Sequence, residues 1–119
     1  MSDPVAIESI LHEIEKDAGV DDVVLVSHSG AHIAGNVPQG AHSDTFVAMF
    51  AIILGAAETA RSELKERLDS VVINMETSRL VIINHGSKAL FVVRTPKDKD
   101  LVQLRQNLEK YARRIEEYL

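Results

Sequence analysis

Five histidines, His12, His28, His32, His42 and His85, are the side chains best suited to acid–base or metal chemistry near neutral pH. They need partners at defined spacing to do either. His28 and His32 flank a candidate hairpin and could lie close together. No helical His-x-x-x-His accompanies them, so two exposed loop histidines are the simpler reading and no metal is expected. His12 reads as a surface residue of the first helix rather than a base. Serines are present, but no spacing supports a serine–histidine pair. The chain has no cysteine, which removes disulfides, thiolate metal sites and thiol nucleophiles.

The segment Gly30-Ala31-His32-Ile33-Ala34-Gly35 has the glycine spacing of a phosphate-binding loop. It continues into Asn36-Val37, where such a loop needs Lys and then Ser or Thr. It also leads into a loop rather than a helix N-terminus that could face an anion. Asp17, Asp21 and Asp22 form an acidic turn without the alternating ligands that calcium wants. No catalytic residue, cofactor or metal site is expected, and the chain is read as a non-enzyme.

The elements that hold these residues are readable. Asp3 and Pro4 suit the cap and first position of a helix whose Ile7, Ile10, Leu11 and Ile14 share one face, with Gly19 at its end. Val23-Val24-Leu25-Val26 is a continuous apolar run, as in a strand covered on both faces. Ser29-Gly30 turns into a shorter strand, Ala31 to Asn36, placed at a sheet edge. A long helix follows from about Asp44 to Leu68, capped by Ser43 or Asp44. Strands Val71 to Glu76, Leu80 to Asn84 and Ala89 to Arg94, joined at Thr77-Ser78 and His85-Gly86-Ser87, are expected to pair as an antiparallel meander. Pro96 breaks the chain. Leu101, Leu104, Leu108, Tyr111, Ile115 and Leu119 then mark a closing amphipathic helix. The order is α-β-β-α-β-β-β-α, and residues 1–119 are taken as a single domain.

Composition narrows the function. The chain has 119 residues, 45% hydrophobic and 26% charged, a balance suited to one globular core. Its net charge of −5, scattered basic residues and 4% aromatics argue against nucleic-acid binding. The start of the chain lacks the pattern of a signal peptide. The longest apolar stretch, Phe46 to Ala57, falls short of the ~20 residues that cross a bilayer. No membrane insertion is expected, and a cytoplasmic location is.

The central helix is the most informative segment. Phe46, Phe50, Ile53, Ala57, Ala60, Leu64 and Leu68 form one stripe, expected to lie on the sheet. From Phe46 to Ala57 the other faces are apolar as well, including Val47, Ala48, Ala51, Ile52, Leu54, Gly55 and Ala56. A helix apolar all round is a buried helix. One alternative places it between the sheet and another helix of its own chain. The other is a symmetric homodimer, in which small residues let a second copy approach closely.

The hairpin Leu25 to Ala34, the alanine-rich helix Phe46 to Leu68, the strand pair Leu80 to Val93 and the closing helix resemble the roadblock/dynein light-chain family, over nearly the full chain. The resemblance implies an α+β sandwich: a five-stranded antiparallel sheet with the first and last helices on one face and the central helix on the other. It implies dimerisation through side-by-side central helices and paired third strands. The expected dimer interface is Val47, Ala51, Leu54 and Gly55 with Val71, Ile73 and Met75. The expected partner-binding crest is Ala48, Ile52, Glu58, Thr59, Arg61, Ser62 and Lys65. The family's partners imply a module that regulates or scaffolds a small Ras-like GTPase, of the gliding-motility type. The alternatives are a nucleotide-independent adaptor subunit of a larger complex and a small-ligand sensor. The uniformly aliphatic strands do not favour the polar-lined cavity that a sensor needs.

Overall fold

The computed structural model describes residues 3–85 and 89–119. Gly86 and Ser87 of the expected last turn lie outside the described residues. The Asp3 carboxylate accepts from the Ala6 N–H at 3.2 Å and opens α1 (Pro4–Ala18), with Pro4 in its first turn. The chain continues through β1 (Asp22–Ser27), β2 (His32–Ala34), α2 (Ser43–Leu64), β3 (Val71–Asn74), β4 (Arg79–His85), β5 (Ala89–Thr95) and α3 (Leu101–Glu116). This is the expected order of elements. Asp100 caps α3, accepting from Val102 and Gln103 at 2.9 and 3.2 Å.

All five strands are antiparallel, in the order β2-β1-β5-β4-β3. The third strand and the short second strand are therefore the two edges. Because side chains alternate across a strand, the register builds two separate cores. Val23, Leu25, Val81, Ile83, Phe91 and Val93 face α1 and α3. Val24, Val26, Ile82, Leu90 and Val92 face the opposite side, under α2. The continuous apolar run in β1 follows from this, since β1 is buried on both faces.

Polar contacts fix α3 to α1. Lys99 Nζ donates to the Ala18 carbonyl at 2.6 Å, closing the end of α1. Arg114 pairs with Glu13 at 2.6 Å and lies over the Tyr111 ring. The Tyr111 hydroxyl donates to Asp17, which raises the phenol pKa above its ordinary value.

Several boundaries differ from the sequence reading; β4 runs one residue longer at each end and β5 one residue longer at its C-terminal end, and three others change more. The second strand is only His32–Ala34. The third ends at Asn74, and the Met75 N–H returns to the Ser78 carbonyl at 2.9 Å, so the turn is longer than Thr77-Ser78. The cap of α2 is His42, with no side-chain hydrogen bond, because Ser43 and Asp44 already belong to the first turn. Asp44 there favours the positive end of the helix dipole.

Gly35 links β2 to α1. It has φ +91°, and a Cβ would stand 2.3 Å from the Val23 carbonyl oxygen. We expect Gly35→Ala to cost about 2–4 kcal/mol, combining backbone strain and a clash. Gly40→Ala, at the same φ but in open space, meets only the strain and should cost less. Denaturant unfolding compares the two, and equal losses would refute this account. A second expectation concerns Glu15, whose pKa is raised chiefly by burial, with His12 opposing. The unfolded chain then ionises first, so Glu15 lowers stability as pH rises through the glutamate range. Glu15→Gln should flatten that part of the stability–pH curve.

Candidate functional site

The residues first suspected of chemistry hold the β1–β2 connection together. His28 Nε2–H donates to Asn84 Oδ1 at 2.8 Å and to the Ala89 carbonyl at 3.2 Å, tying the turn to the neighbouring strands. His32 Nε2–H donates to the Gly35 carbonyl at 2.5 Å. The Gly35 N–H, which a phosphate-binding loop would aim at an anion, donates instead to Glu8 Oε1 at 2.8 Å. His12 lies 3.8 Å from Glu15 on the α1 surface. Among the described residues, no group of three or more His, Asp or Glu is placed to hold a metal.

The unusual surface is on α2. Of its 22 residues only Val47, Phe50 and Leu54 are buried, on the cluster formed with Val24, Val26, Leu90 and Val92. The sheet-facing stripe is thus turned from the expected one. Phe46, Ile53 and Ala57 are half-buried on its flank, Ala60 is exposed, and Leu64 is 70% exposed. When apolar residues surround a helix, periodicity alone cannot fix which face goes down. Val47 and Leu54, expected in a dimer interface, belong to the chain's own core at 1% and 5% exposure.

The helix also stops earlier than expected, at Leu64. Lys65 takes the left-handed conformation at φ 58°; its N–H bonds Ser62 O and the Glu66 N–H bonds Arg61 O. That is the closure usually given to glycine, here made with lysine. Leu68 therefore lies beyond the helix, half-buried against the same core.

The two flanks of α2 differ. On one, the β1–β2 turn lies against the helix, where a Cβ on Gly30 would be in ordinary contact with Ala51 at 3.4 Å and Ala48 at 3.5 Å. On the other, Met49, Ile53, Ala56, Ala60 and Leu64 form a row at helical spacing. Met49 is 52% exposed, and Ile52 beside the row is 71% exposed. Sequence reasoning missed this row as a unit; its signal was the four- and three-residue spacing of those side chains. Ala57, Ala60 and Leu64 overhang a cleft of about 480 Å³ whose other wall includes Leu68, Ser70, Val71 and Val72. Val71, Ile73 and Leu80 below are only half-buried, because α2 packs chiefly over β1 and β2. Met75, expected in the interface strand, sits just past β3 and is 49% exposed.

The expected crest divides between two regions. Glu58, Arg61, Ser62 and Lys65 come together around a polar hollow of about 810 Å³ at the C-terminal end of α2. Arg61 Nε donates to Glu58 at 3.1 Å, and Arg61 Nη1 reaches the Glu66 carbonyl at 3.4 Å. The Thr59 hydroxyl bonds back to the Gly55 carbonyl at 3.1 Å. Ala48, Ile52 and Gly55 lie along the exposed upper side, and a Cβ on Gly55 would meet nothing within 4 Å. By length and composition alone, α2 could cross a membrane. Here its Val47, Phe50 and Leu54 are seated on the sheet.

A five-stranded antiparallel sheet between one helix and a helix pair defines the class as an α+β sandwich. The family model of the Roadblock/LC7 domain matches residues 6–95, and the chain belongs to that family. No curated protein matches the sequence. Among solved structures, Myxococcus xanthus MglB superposes with a TM-score of 0.80 at 19% identity, over 91% of this chain and 83% of that one. An MglB with a tetrameric arrangement gives 0.80 at 22% identity, over 97% and 90%. A Roadblock/LC7 domain from Streptomyces avermitilis gives 0.79 at 15%, over 93% and 95%. At these identities the likeness is one of fold, and it extends through α3, beyond the family match.

The helix orientation can be checked directly. Leu54→Ala should lower unfolding free energy by about 2–5 kcal/mol at every protein concentration. Leu64→Ala should change it by about 0.5 kcal/mol or less in the dilute limit, where self-association no longer contributes. Similar losses in that limit would place the wrong face on the sheet.

Proposed function

We propose that the chain, acting as one roadblock-like domain over residues 1–119, is a homodimeric, non-catalytic module that regulates or scaffolds a small Ras-like GTPase in the cytoplasm. The observation that carries the dimer is the open row Met49–Ile53–Ala56–Ala60–Leu64 above an incompletely covered part of the sheet. A second α2 laid beside the first would cover both. The adjoining edge strand β3 offers backbone groups through which a second β3 could extend the sheet, removing an apolar edge. This reading keeps Val71, Ile73 and Met75 near the interface and replaces four expected residues with the row: Val47 and Leu54, which are buried, Ala51, which faces the β1–β2 turn, and Gly55, which lies on the exposed upper side.

Support for the GTPase as partner comes from family membership, from the fold shared with MglB and from the family's association with Ras-like GTPases. The smooth exposed side, Ala48, Ile52, Gly55 and Thr59, would sit near the crest of the paired helices, flanked by Glu58, Arg61, Ser62 and Lys65. Arg61 is held by Glu58 and by the Glu66 carbonyl rather than extended. The mechanism that follows is to position the partner's own switch residues, not to insert an arginine.

Light scattering at micromolar concentration should report about twice the 13.1 kDa protomer. The pair Ile52→Asp with Ala60→Glu should return the protomer mass with the circular dichroism of the native fold. A wild-type protomer of 13.1 kDa would overturn the dimer. For the GTPase, immobilised chain should retain a small GTPase from its native cytosol, with affinity that differs between GDP and GTP-analogue states. Equal affinity in both states would favour the nucleotide-independent adaptor. If the chain stimulates hydrolysis, Arg61→Ala should keep the rate within about tenfold, whereas loss of an inserted arginine costs 10³–10⁵.

A further inference from the structure

We draw no further inference here: the strongest candidate, the apolar trough of about 260 Å³ between the start of α3, β4 and the segment Asp69-Ser70 before β3, lined by Val81, Ile83, Leu101 and Val102, lies on the sheet face away from α2, and nothing in the structure shows what covers it.

Discussion

The seating of α2 on the sheet governs most of what is unusual in this chain. The helix meets the sheet through Val47, Phe50 and Leu54, over the β1–β2 side, with the Phe46 and Phe50 rings 4.7 Å apart at its near end. The opposite face of the sheet has two helices, whose Ile7, Leu11, Ile14, Leu104, Leu108 and Ile115 are buried. One face is therefore covered by a pair and the other by a single helix placed to one side. Apolar surface on that second face exceeds what one helix can remove from water, on both the helix and the strands. Each deficit lies beside the other, which is why a single additional surface could answer both.

The polar residues make sense within the same frame. The turn that lies against α2 takes a φ of +91° at Gly30, a backbone conformation that favours glycine. The β2 end must come up against the β1 backbone, which Gly35 permits. His28, His32 and Glu8 then satisfy backbone groups or join strands at those same bends. A glycine-spaced segment with nearby histidines suggests ligand chemistry when read along the chain. Folded, the His28 and His32 rings and the Gly35 N–H have partners within the protein, and the glycine spacing reflects two left-handed bends, one of them a close backbone approach.

Much of the architecture was legible in the sequence because local chemistry and tertiary role coincide. Asp3-Pro4 marked the start of α1, the Val23–Val26 run marked a strand buried on both faces, and Pro96 stood just before the last helix. The layer arrangement rested on family resemblance, since no residue pattern places β1 beside β5. The face of α2 that meets the sheet was not legible, because Phe46 to Ala57 offers apolar side chains in every direction. Its end was hidden for a different reason. Lys65-Glu66-Arg67 are good helix formers, and the left-handed turn falls on a lysine where glycine would have announced it. The proposed interface depends on the first of these, since the observed seating of α2 buries Val47 and Leu54 and leaves Met49, Ala56 and Ala60 outside the core.

The C-terminal half of α2 poses a separate question, because from Gly55 to Leu64 no residue is buried. A free helix of that length is marginal in water. Its own means of support are visible: alanines at 56, 57 and 60, the Glu58–Arg61 pair and the backbone closure at Lys65 and Glu66. Gly55 works against them, at about 1 kcal/mol relative to alanine in an exposed helix interior. Nothing in the protomer crowds its Cβ position, so the isolated fold draws no packing benefit from that glycine. The residue is unfavourable to the helix alone and becomes favourable where another backbone comes nearer than a methyl group allows. The same segment carries the exposed Ala60 and Leu64, so Gly55 and this apolar surface share a stretch of helix that the described residues of the chain leave uncovered.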